Sequence, residues 1–228
     1  AVDLGINTDA VCSIMKADGT ILARKFIDFT SDKDRMIHAM NRTRRKQSKY
    51  GPKSARGLWA YVKRLNEDRA KKISAAIVEF ASQHSVDTIV MEHLDFKGCK
   101  KRGSKAQRLS MWNHGIIREK AEQKAHLLGI RIATICAWKT SAFAFDGSGS
   151  VTRDDNNHAL ATFTTGKQYN CDLSASYNIG ARYFIRELLK SLPATEESRV
   201  KAKVPDAGRR TSCTLSTLRA LVKELSAA

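Results

Sequence analysis

Three acidic residues stand in sequence surroundings where carboxylates are uncommon. Asp3 lies within the apolar segment AVDLGI, Glu92 ends the apolar run DTIVME, and Asp172 stands where a helical pattern begins. An acid inside an apolar strand is disfavoured by propensity and costly when buried without a partner. Three clustered carboxylates would repel one another, and their hard oxygen atoms suit Mg²⁺ or Mn²⁺. Two such ions about 3.5–4 Å apart can activate water and stabilise the leaving oxygen of a phosphodiester.

Each acid also has a plainer structural interpretation. Asp is among the residues favoured immediately before a helix, so Asp172 could be an N-cap. Glu92, at a strand end, could face solvent. Asp3 is harder to explain without a metal or a catalytic role, because it interrupts an apolar strand. His93 follows Glu92, and the alternation of side chains along a strand predicts that it faces away from the acids.

The elements that must position these acids fit a mixed α/β architecture. Three short strands come first, then a helical stretch broken at Gly51-Pro52, a fourth strand, a helix, a fifth strand and a last long helix. This order predicts an RNase H-like five-stranded sheet flanked by helices, with a helical hairpin inserted. If the first and fourth strands are neighbours, Asp3 and Glu92 converge at one end of the sheet. The predicted strands are 1–5, 11–16, 21–29, 87–92 and 130–137, and the predicted helices are 106–128, 173–192 and 215–225.

The same pattern divides the chain into segments. Residues 1–30 and 86–192 form the predicted core, and residues 31–85 form a basic helical insertion. Residues 139–171 lose periodicity and fill with Ser, Gly, Thr, Asp and Asn, which indicates a loop or a reduced subdomain. Residues 193–228 are predicted to be a polar basic tail that ends in a short helix.

The residues that flank the acids carry a specific resemblance. VDLGIN around Asp3, IVMEHLD around Glu92 and CDLSASYNIGAR around Asp172 resemble the three split RuvC motifs of TnpB, the transposon-encoded RNA-guided nucleases, and of the related type V CRISPR effectors. The resemblance covers most of residues 1–190. It implies that Asp3, Glu92 and Asp172 are the catalytic residues and the ligands of two Mg²⁺ or Mn²⁺ ions, and that Asn178 is structural. It also implies guide RNA and target DNA as partners in a prokaryotic cytoplasm.

The chain departs from this family in two respects. Its members usually carry two CxxC knuckles that bind a structural zinc ion between the fifth strand and the third motif, but the corresponding stretches here contain no Cys. Residues 139–171 offer only His158 and Cys171, in the wrong spacing for a zinc site, so no structural zinc is expected. RNA-guided relatives also need recognition and wedge domains ahead of the first motif. The chain is therefore interpreted as the nuclease portion of a longer protein.

Charge and composition are consistent with a nucleic-acid partner. The 228 residues include 40 Lys and Arg against 23 Asp and Glu, a formal net charge of +17, and 42% are hydrophobic. Such an excess favours a polyanion, and no apolar run approaches the ~20 residues of a membrane span. Five scattered cysteines form no CxxC pair and no disulfide framework, which favours a reducing compartment. A membrane partner and a small-molecule substrate are not expected, and the domain is expected to be monomeric.

Two basic segments are candidates for nucleic-acid binding. The first surrounds Tyr50, Trp59 and Tyr61, which could stack on bases, and the second follows Glu92 directly. A solvated helix face is the alternative for the first segment. Trp112 and Trp138 are interpreted as core residues, and the positions of Arg209 and Arg210 cannot be inferred. The candidate phosphate-binding residues are Arg44, Arg45, Lys46, Lys49 and Lys53 in the first segment and Lys97, Lys100, Lys101 and Arg102 in the second.

The sequence therefore predicts a two-metal endonuclease domain of an RNA-guided effector that acts on DNA. Two alternatives remain open at this point. One is a module that binds guide and target without cutting, and the other is use of the same acids to trim precursor guide RNA.

Overall fold

A five-stranded mixed sheet forms the centre of the molecule in the computed structural model, which describes residues 1–94, 111–154, 157–209 and 211–227. The strand order is β3-β2-β1-β4-β5, with β1 antiparallel to β2 and parallel to β4. This is the RNase H-like α/β fold that the sequence predicts, with the first and fourth strands adjacent. The strands are β1 (Val2–Asp3), β2 (Ala10–Met15), β3 (Ile21–Ile27), β4 (Thr88–His93) and β5 (Arg131–Cys136).

Helices cover both faces of this sheet. On one face, α2 (Arg56–Gln83) and α3 (His114–Leu127) enclose a core that includes Val2, Met91 and Ile77. On the other face lies α4 (Cys171–Ser191), whose buried side is continuous with α6 (Leu215–Ser226). The sheet is therefore the middle of three layers, and successive residues of each strand face different helices.

The segment between β3 and β4 is helical, as predicted. Helix α1 (Thr30–Tyr50) ends at Gly51, whose φ of 84° suits glycine, and a short 3-10 turn (Pro52–Ala55) leads into α2. Only Met36 and Thr43 of α1 are buried. The rest of α1 is turned largely to solvent.

The polar segment after β5 contains a second, small sheet. Its strands are β6 (Thr152–Arg153), β7 (Leu160–Thr162) and β8 (Gln168–Asn170), joined in that order as an antiparallel sheet. The sequence predicts a loop or a reduced subdomain here. A small cluster of Ala144, Ala161, Phe163 and Cys171 fills its interior.

The structure describes part of the helix predicted for residues 106–128. Helix α3 spans His114–Leu127, residues 111–113 are a turn and irregular backbone, and residues 106–110 lie outside the described residues. The stretch predicted to be a polar basic tail before the last helix contains a further helix, α5 (Ala194–Lys203), and a 3-10 turn (Pro205–Gly208). Val200 of α5 is fully buried in the core that α4 and α6 share. The helix is therefore stabilised by packing against distant segments, which its mostly polar sequence does not indicate. In the part that the structure describes, we find no helix with the length and apolarity of a membrane span.

Candidate active site

Asp3 and Glu92 lie side by side on adjacent strands. The register pairs Val2 of β1 with Met91 of β4, so the next residue on each strand is one of the two acids. Val2 and Met91 point into the core under α2 and α3. Because side chains alternate along a strand, Asp3 and Glu92 point to the opposite face, under α4. His93 is exposed and, by the same alternation, faces away from Glu92, as the sequence predicts.

Asp172 reaches this face from the first turn of α4. The helix begins at Cys171, and the side chain of Asn170 caps it by accepting a hydrogen bond from the backbone N–H of Leu173 at 2.8 Å. Interpretation of Asp172 as an N-cap is therefore wrong. Its carboxylate is left available at a helix N-terminus, where the macrodipole favours negative charge.

Two glycines of the motifs permit this close arrangement. A Cβ atom on Gly5, two residues after Asp3, would lie 2.5 Å from the carbonyl oxygen of Thr8. A Cβ atom on Gly180 of α4 would lie 3.1–3.2 Å from side-chain atoms of Met15 and Ala1. Glycine at these positions lets the chain turn directly after β1 and lets α4 approach the sheet that carries Asp3.

The three carboxylates interact electrostatically. The pKa of Asp3 is raised well above its usual value, first by burial and then by the negative charges of Glu92 and Asp172. Burial also raises the pKa of Glu92 and the pKa of Asp172. Asp3 thus stands between two like charges, and both burial and repulsion oppose its ionisation. A bound cation would relieve both effects.

The carboxylates are not gathered around a single point. In the described ranges there is no group of three or more His, Cys, Asp or Glu side chains close enough to hold one metal ion. Asp3 nevertheless interacts through charge with both other acids. The donor set consists of carboxylate oxygens without sulfur or imidazole, which fits Mg²⁺ or Mn²⁺ better than a soft metal.

Thr140 fixes the orientation of Glu92. Its hydroxyl donates a hydrogen bond to Glu92 Oε1, and this bond lowers the pKa of Glu92 against the effect of burial. Thr140 is buried and lies just beyond β5. Sequence analysis did not identify it, because a single Thr in an aperiodic segment gives no signal.

Asn178 holds the backbone on which Thr140 stands. Its fully buried side-chain amide donates to the carbonyl oxygens of Thr140 at 3.0 Å and Phe143 at 2.9 Å. The amide oxygen accepts from the backbone N–H of Leu215 at 3.2 Å. Asn178 therefore joins α4 to the segment after β5 and to the start of α6, the structural role that the resemblance implies.

Arg182, one turn further along α4, ties the same segments together. Its guanidinium donates to the carbonyl oxygens of Cys136, Trp138, Thr211 and Cys213 at 2.8–3.2 Å. Its charge also lowers the pKa of Glu92. Both ends of the segment that carries Thr140 are thus held by α4.

Arg153 is a basic residue whose positive charge acts on two of the three acids. It lies on β6, its side chain is exposed, and it donates to Ser141 Oγ at 2.7 Å. Its positive charge lowers the pKa of both Asp3 and Asp172. Sequence analysis missed it, because the small sheet that presents it cannot be recognised from its polar sequence.

A fourth acid, Asp9, is buried away from these three and has a structural role. It forms ion pairs with Arg69 of α2 and with Lys33 of α1, and it accepts a hydrogen bond from the backbone N–H of Phe29 at 2.9 Å. Asp9 therefore joins the start of β2 to the end of β3 and to the two helices of the insertion.

The predicted nucleic-acid-binding residues are only partly described. Arg44, Arg45, Lys46 and Lys49 lie on α1 and Lys53 on the following 3-10 turn, all exposed. This exposure suits a phosphate-binding surface and a solvated face equally, so their role stays a prediction. Lys97, Lys100, Lys101 and Arg102, and also Arg210, lie outside the described residues. Arg209 is exposed and 3.7 Å from Asp206.

The two tryptophans interpreted as core residues differ from each other. Trp112 is half-buried and packs against the core under α2 and α3. Trp138 is 62% exposed, so its assignment to the core is wrong. It stands just after β5, two residues before Thr140, where Arg182 holds its carbonyl oxygen while its ring remains in solvent.

Comparison with known proteins supports the fold. A chain in a solved structure, described as the cryo-EM structure of the Cas12f1-sgRNA-target DNA complex, is similar with a TM-score of 0.57 and 19% sequence identity. The match covers 78% of this chain and 48% of that one, so the chain spans about half the length of that Cas12f1 protein. No protein-family model and no curated protein sequence matches the chain.

Proposed function

We propose that the chain is the nuclease portion of an RNA-guided effector of the TnpB and Cas12 kind, hydrolysing phosphodiester bonds in target DNA. The observation that carries this proposal is the placement of Asp3, Glu92 and Asp172. Asp3 and Glu92 lie side by side at the ends of two adjacent strands, on one face of an RNase H-like sheet, and Asp172 reaches that face from the first turn of α4. The net charge of +17 and the similarity to a protein solved with guide RNA and target DNA support nucleic acid as the partner.

The carboxylates suit a pair of divalent ions. Asp3, Glu92 and Asp172 would hold two Mg²⁺ or Mn²⁺ ions, which supply an activated water and neutralise the leaving oxygen when bound. Asp3, which interacts through charge with both other acids, would contribute its carboxylate to the metal site. The elevated pKa of Asp3 fits this role, because a cation restores the charged form that burial and repulsion disfavour.

The other residues of the site orient Glu92 or offset the negative charge of the acids. Thr140 holds Glu92 with one oxygen committed to a hydrogen bond, which leaves its second oxygen to a metal. Asn178 and Arg182 keep the Thr140 segment against α4. Arg153 places a fixed positive charge beside Asp3 and Asp172, where an exposed guanidinium can bind a phosphate oxygen of the incoming strand.

The test is cleavage by the complete effector with its guide, supplied with single-stranded DNA, duplex DNA and RNA. The variants Asp3→Ala, Glu92→Gln and Asp172→Asn should each lower cleavage by about two or more powers of ten, since each removes electrostatic stabilisation of the transition state. Double variants should be little worse than single ones, because the residues act as a unit. Binding of the target should persist, because phosphate contacts made by Lys and Arg are unaffected.

Three results would contradict the proposal and favour another function. Tight binding without metal-dependent cutting of any substrate would make the chain a binding module. Cutting of precursor guide RNA alone would assign the acids to RNA processing. Equal cleavage by the wild type and Asp3→Ala would show that the three acids do not carry out cleavage.

A further inference from the structure

A polar cavity of about 520 Å³ lies where β3, the small sheet and α6 meet. Its volume is within the usual range for a small-molecule or nucleotide site. We call it the Tyr169 groove, and the lining residues that matter to its chemistry are Arg24, Lys167, Arg219, Phe145, Tyr169 and Tyr177. None of them is among the residues assigned to metal or catalysis above.

The groove presents three cations without counter-ions. Arg24 comes from β3, Lys167 from the turn between β7 and β8, and Arg219 from α6. Among the described residues, none of the three takes part in an ion pair. The described residues that line the cavity include no carboxylate. Three convergent positive charges from three separate elements favour an anion.

Asp18 and Asp146, each within two residues of a lining residue of the groove, accept hydrogen bonds from their own turns. Asp18, in the turn between β2 and β3, accepts a hydrogen bond from the backbone N–H of Thr20 at 2.8 Å. Asp146 likewise accepts from the backbone N–H of Ser148 at 3.0 Å. Neither carboxylate is directed at the three cations.

Aromatic rings form the floor of the groove. Phe145 packs edge-on against Tyr169 and Tyr177, with ring centroids 4.9 and 5.3 Å apart. Lys167 Nζ stands 4.9 Å above the Phe145 ring and 5.3 Å above the Tyr169 ring, and Arg24 stands 5.7 Å above the Tyr177 ring. The rings thus hold the cations over a rigid surface, and a combination of cations and aromatic faces suits phosphates and bases together.

The groove is connected to the acids through shared elements. Tyr177 follows Asp172 by five residues on α4, a rise of about 7.5 Å. Arg153 lies opposite Ala161, Ala161 lies opposite Tyr169, and Lys167 is two residues before Tyr169. Two strand spacings and two residues of rise place the backbones of Arg153 and Lys167 roughly 12 Å apart. A short stretch of extended nucleic-acid strand covers that distance.

We propose that the Tyr169 groove binds the phosphodiester backbone of a single-stranded nucleic acid, on the stretch adjoining the one that reaches the carboxylates. The inference rests on the proposed function for the identity of that strand. Arg24, Lys167 and Arg219 contact phosphates, and the exposed part of the Tyr169 ring stacks on a base. The groove thereby sets the register in which the strand passes Arg153 and the acids.

The experiment measures binding of a fluorescein-labelled oligothymidylate to the chain in EDTA, by fluorescence anisotropy across a salt series. Each cation that contacts a phosphate of a single strand contributes about 0.7 to the slope of log K against log salt, so removing two lowers it by about 2 × 0.7 = 1.4. The double variant Lys167→Gln, Arg219→Gln should show this smaller slope and an affinity about tenfold lower at low salt. Lys167→Gln alone, on an exposed turn, should give half the change in slope.

The matched control is Arg131→Gln, Lys124→Gln, which removes the same net charge. Arg131 is exposed at the start of β5, where it pairs with Thr88 at the other end of β4 from Glu92, and Lys124 is exposed on α3. Both residues lie outside the groove. The control should keep the wild-type slope, and thermal melting should show all variants folded.

A second measurement locates the strand. An oligonucleotide carrying 5-iododeoxyuridine should crosslink under ultraviolet light to the peptide that contains Tyr169, and Tyr169→Leu should abolish this crosslink. Equal affinity and slope for the groove and control variants, or crosslinks that map only to other peptides, would overturn the proposal. Because EDTA prevents metal-dependent chemistry, that outcome would leave the assignment of the acids to be decided by cleavage alone.

Discussion

The hydroxyl of Thr140 donates a hydrogen bond to a carboxylate oxygen of Glu92, although the two residues are 48 positions apart in the chain. The same hydroxyl lies 3.3 Å from the carbonyl oxygen of Ala137, so the side chain is placed between β5 and the acids. Thr140 acts on the site by positioning Glu92 and by favouring its charged form.

Replacing Thr140 by Val removes this hydrogen bond and keeps the shape of the side chain. Since the bond lowers the pKa of Glu92, the acidic limb of the pH–rate profile should move to higher pH and cleavage should fall about tenfold at neutral pH. Thr140→Ser retains the hydroxyl and should restore the profile. An unchanged profile in Thr140→Val would show that Thr140 has only a packing role.

Replacing Asn178 by Ala should destabilise the fold substantially. The change leaves two carbonyl oxygens and the N–H of Leu215 without partners in a buried site. At about 1 kcal/mol or more for each unsatisfied group, the loss should be roughly 3 kcal/mol, or about 6–12 °C in Tm for a chain of this size. Asn41→Ala, on the exposed side of α1, is the control and should change Tm by under about 2 °C. A similar Tm for both variants would contradict the structural role of Asn178.

In EDTA, stability should decrease as pH rises above about 4, the pKa of a carboxyl group in the unfolded chain. The pKa of Asp3 is higher in the folded than in the unfolded chain, so the folded state binds more protons in this range, and the raised pKa values of Glu92 and Asp172 act in the same direction. Asp3→Asn removes the buried charge and should raise Tm at the higher pH while flattening the dependence. Differential scanning calorimetry of both proteins measures this. A lower Tm for Asp3→Asn at about pH 8 would show that Asp3 stabilises the fold without metal.

The small sheet should be held by aromatic packing and contain no zinc. Phe145 and Phe163 meet edge-on at 5.5 Å inside it, while His158 is exposed and Cys171 is buried in the small cluster. Phe163→Ala should cost about 3–5 kcal/mol, and elemental analysis should find no stoichiometric zinc in the wild type. One Zn²⁺ per chain would show that this segment binds metal through ligands the sequence does not suggest.

The sequence predicts the sheet, and the positions of Asp3 and Glu92 on its strands, because both depend on strong local signals. Strand-length apolar runs predict β4 and β5, and an acid inside such a run identifies Asp3. Once β1 and β4 are adjacent, the alternation of side chains is enough to place Asp3 and Glu92 on the same face.

The parts that the sequence did not predict depend on contacts between distant segments. Thr140 and Arg153 come from a polar stretch whose small sheet is stabilised by a few aromatic rings, and no periodic pattern marks it. Helix α5 is polar along most of its length, and its burial depends on the packing of Val200 against α4 and α6, which the sequence does not reveal. Trp138 directly follows the apolar run of β5, and nothing in the sequence indicates that its ring is exposed while its carbonyl oxygen accepts a hydrogen bond from Arg182.

The most direct test of the metal site is a calorimetric titration of the chain with Mn²⁺, comparing the wild type with Asp3→Asn and with the control Asp68→Asn. Asp68 is an exposed carboxylate on α2, paired with Lys72, so its loss removes the same charge away from the site. The wild type and Asp68→Asn should bind two Mn²⁺ ions with equal heats, and Asp3→Asn should lose measurable binding, because Asp3 interacts with both other acids. Heats that are absent in the wild type, or unchanged in Asp3→Asn, would contradict a metal site formed by Asp3, Glu92 and Asp172.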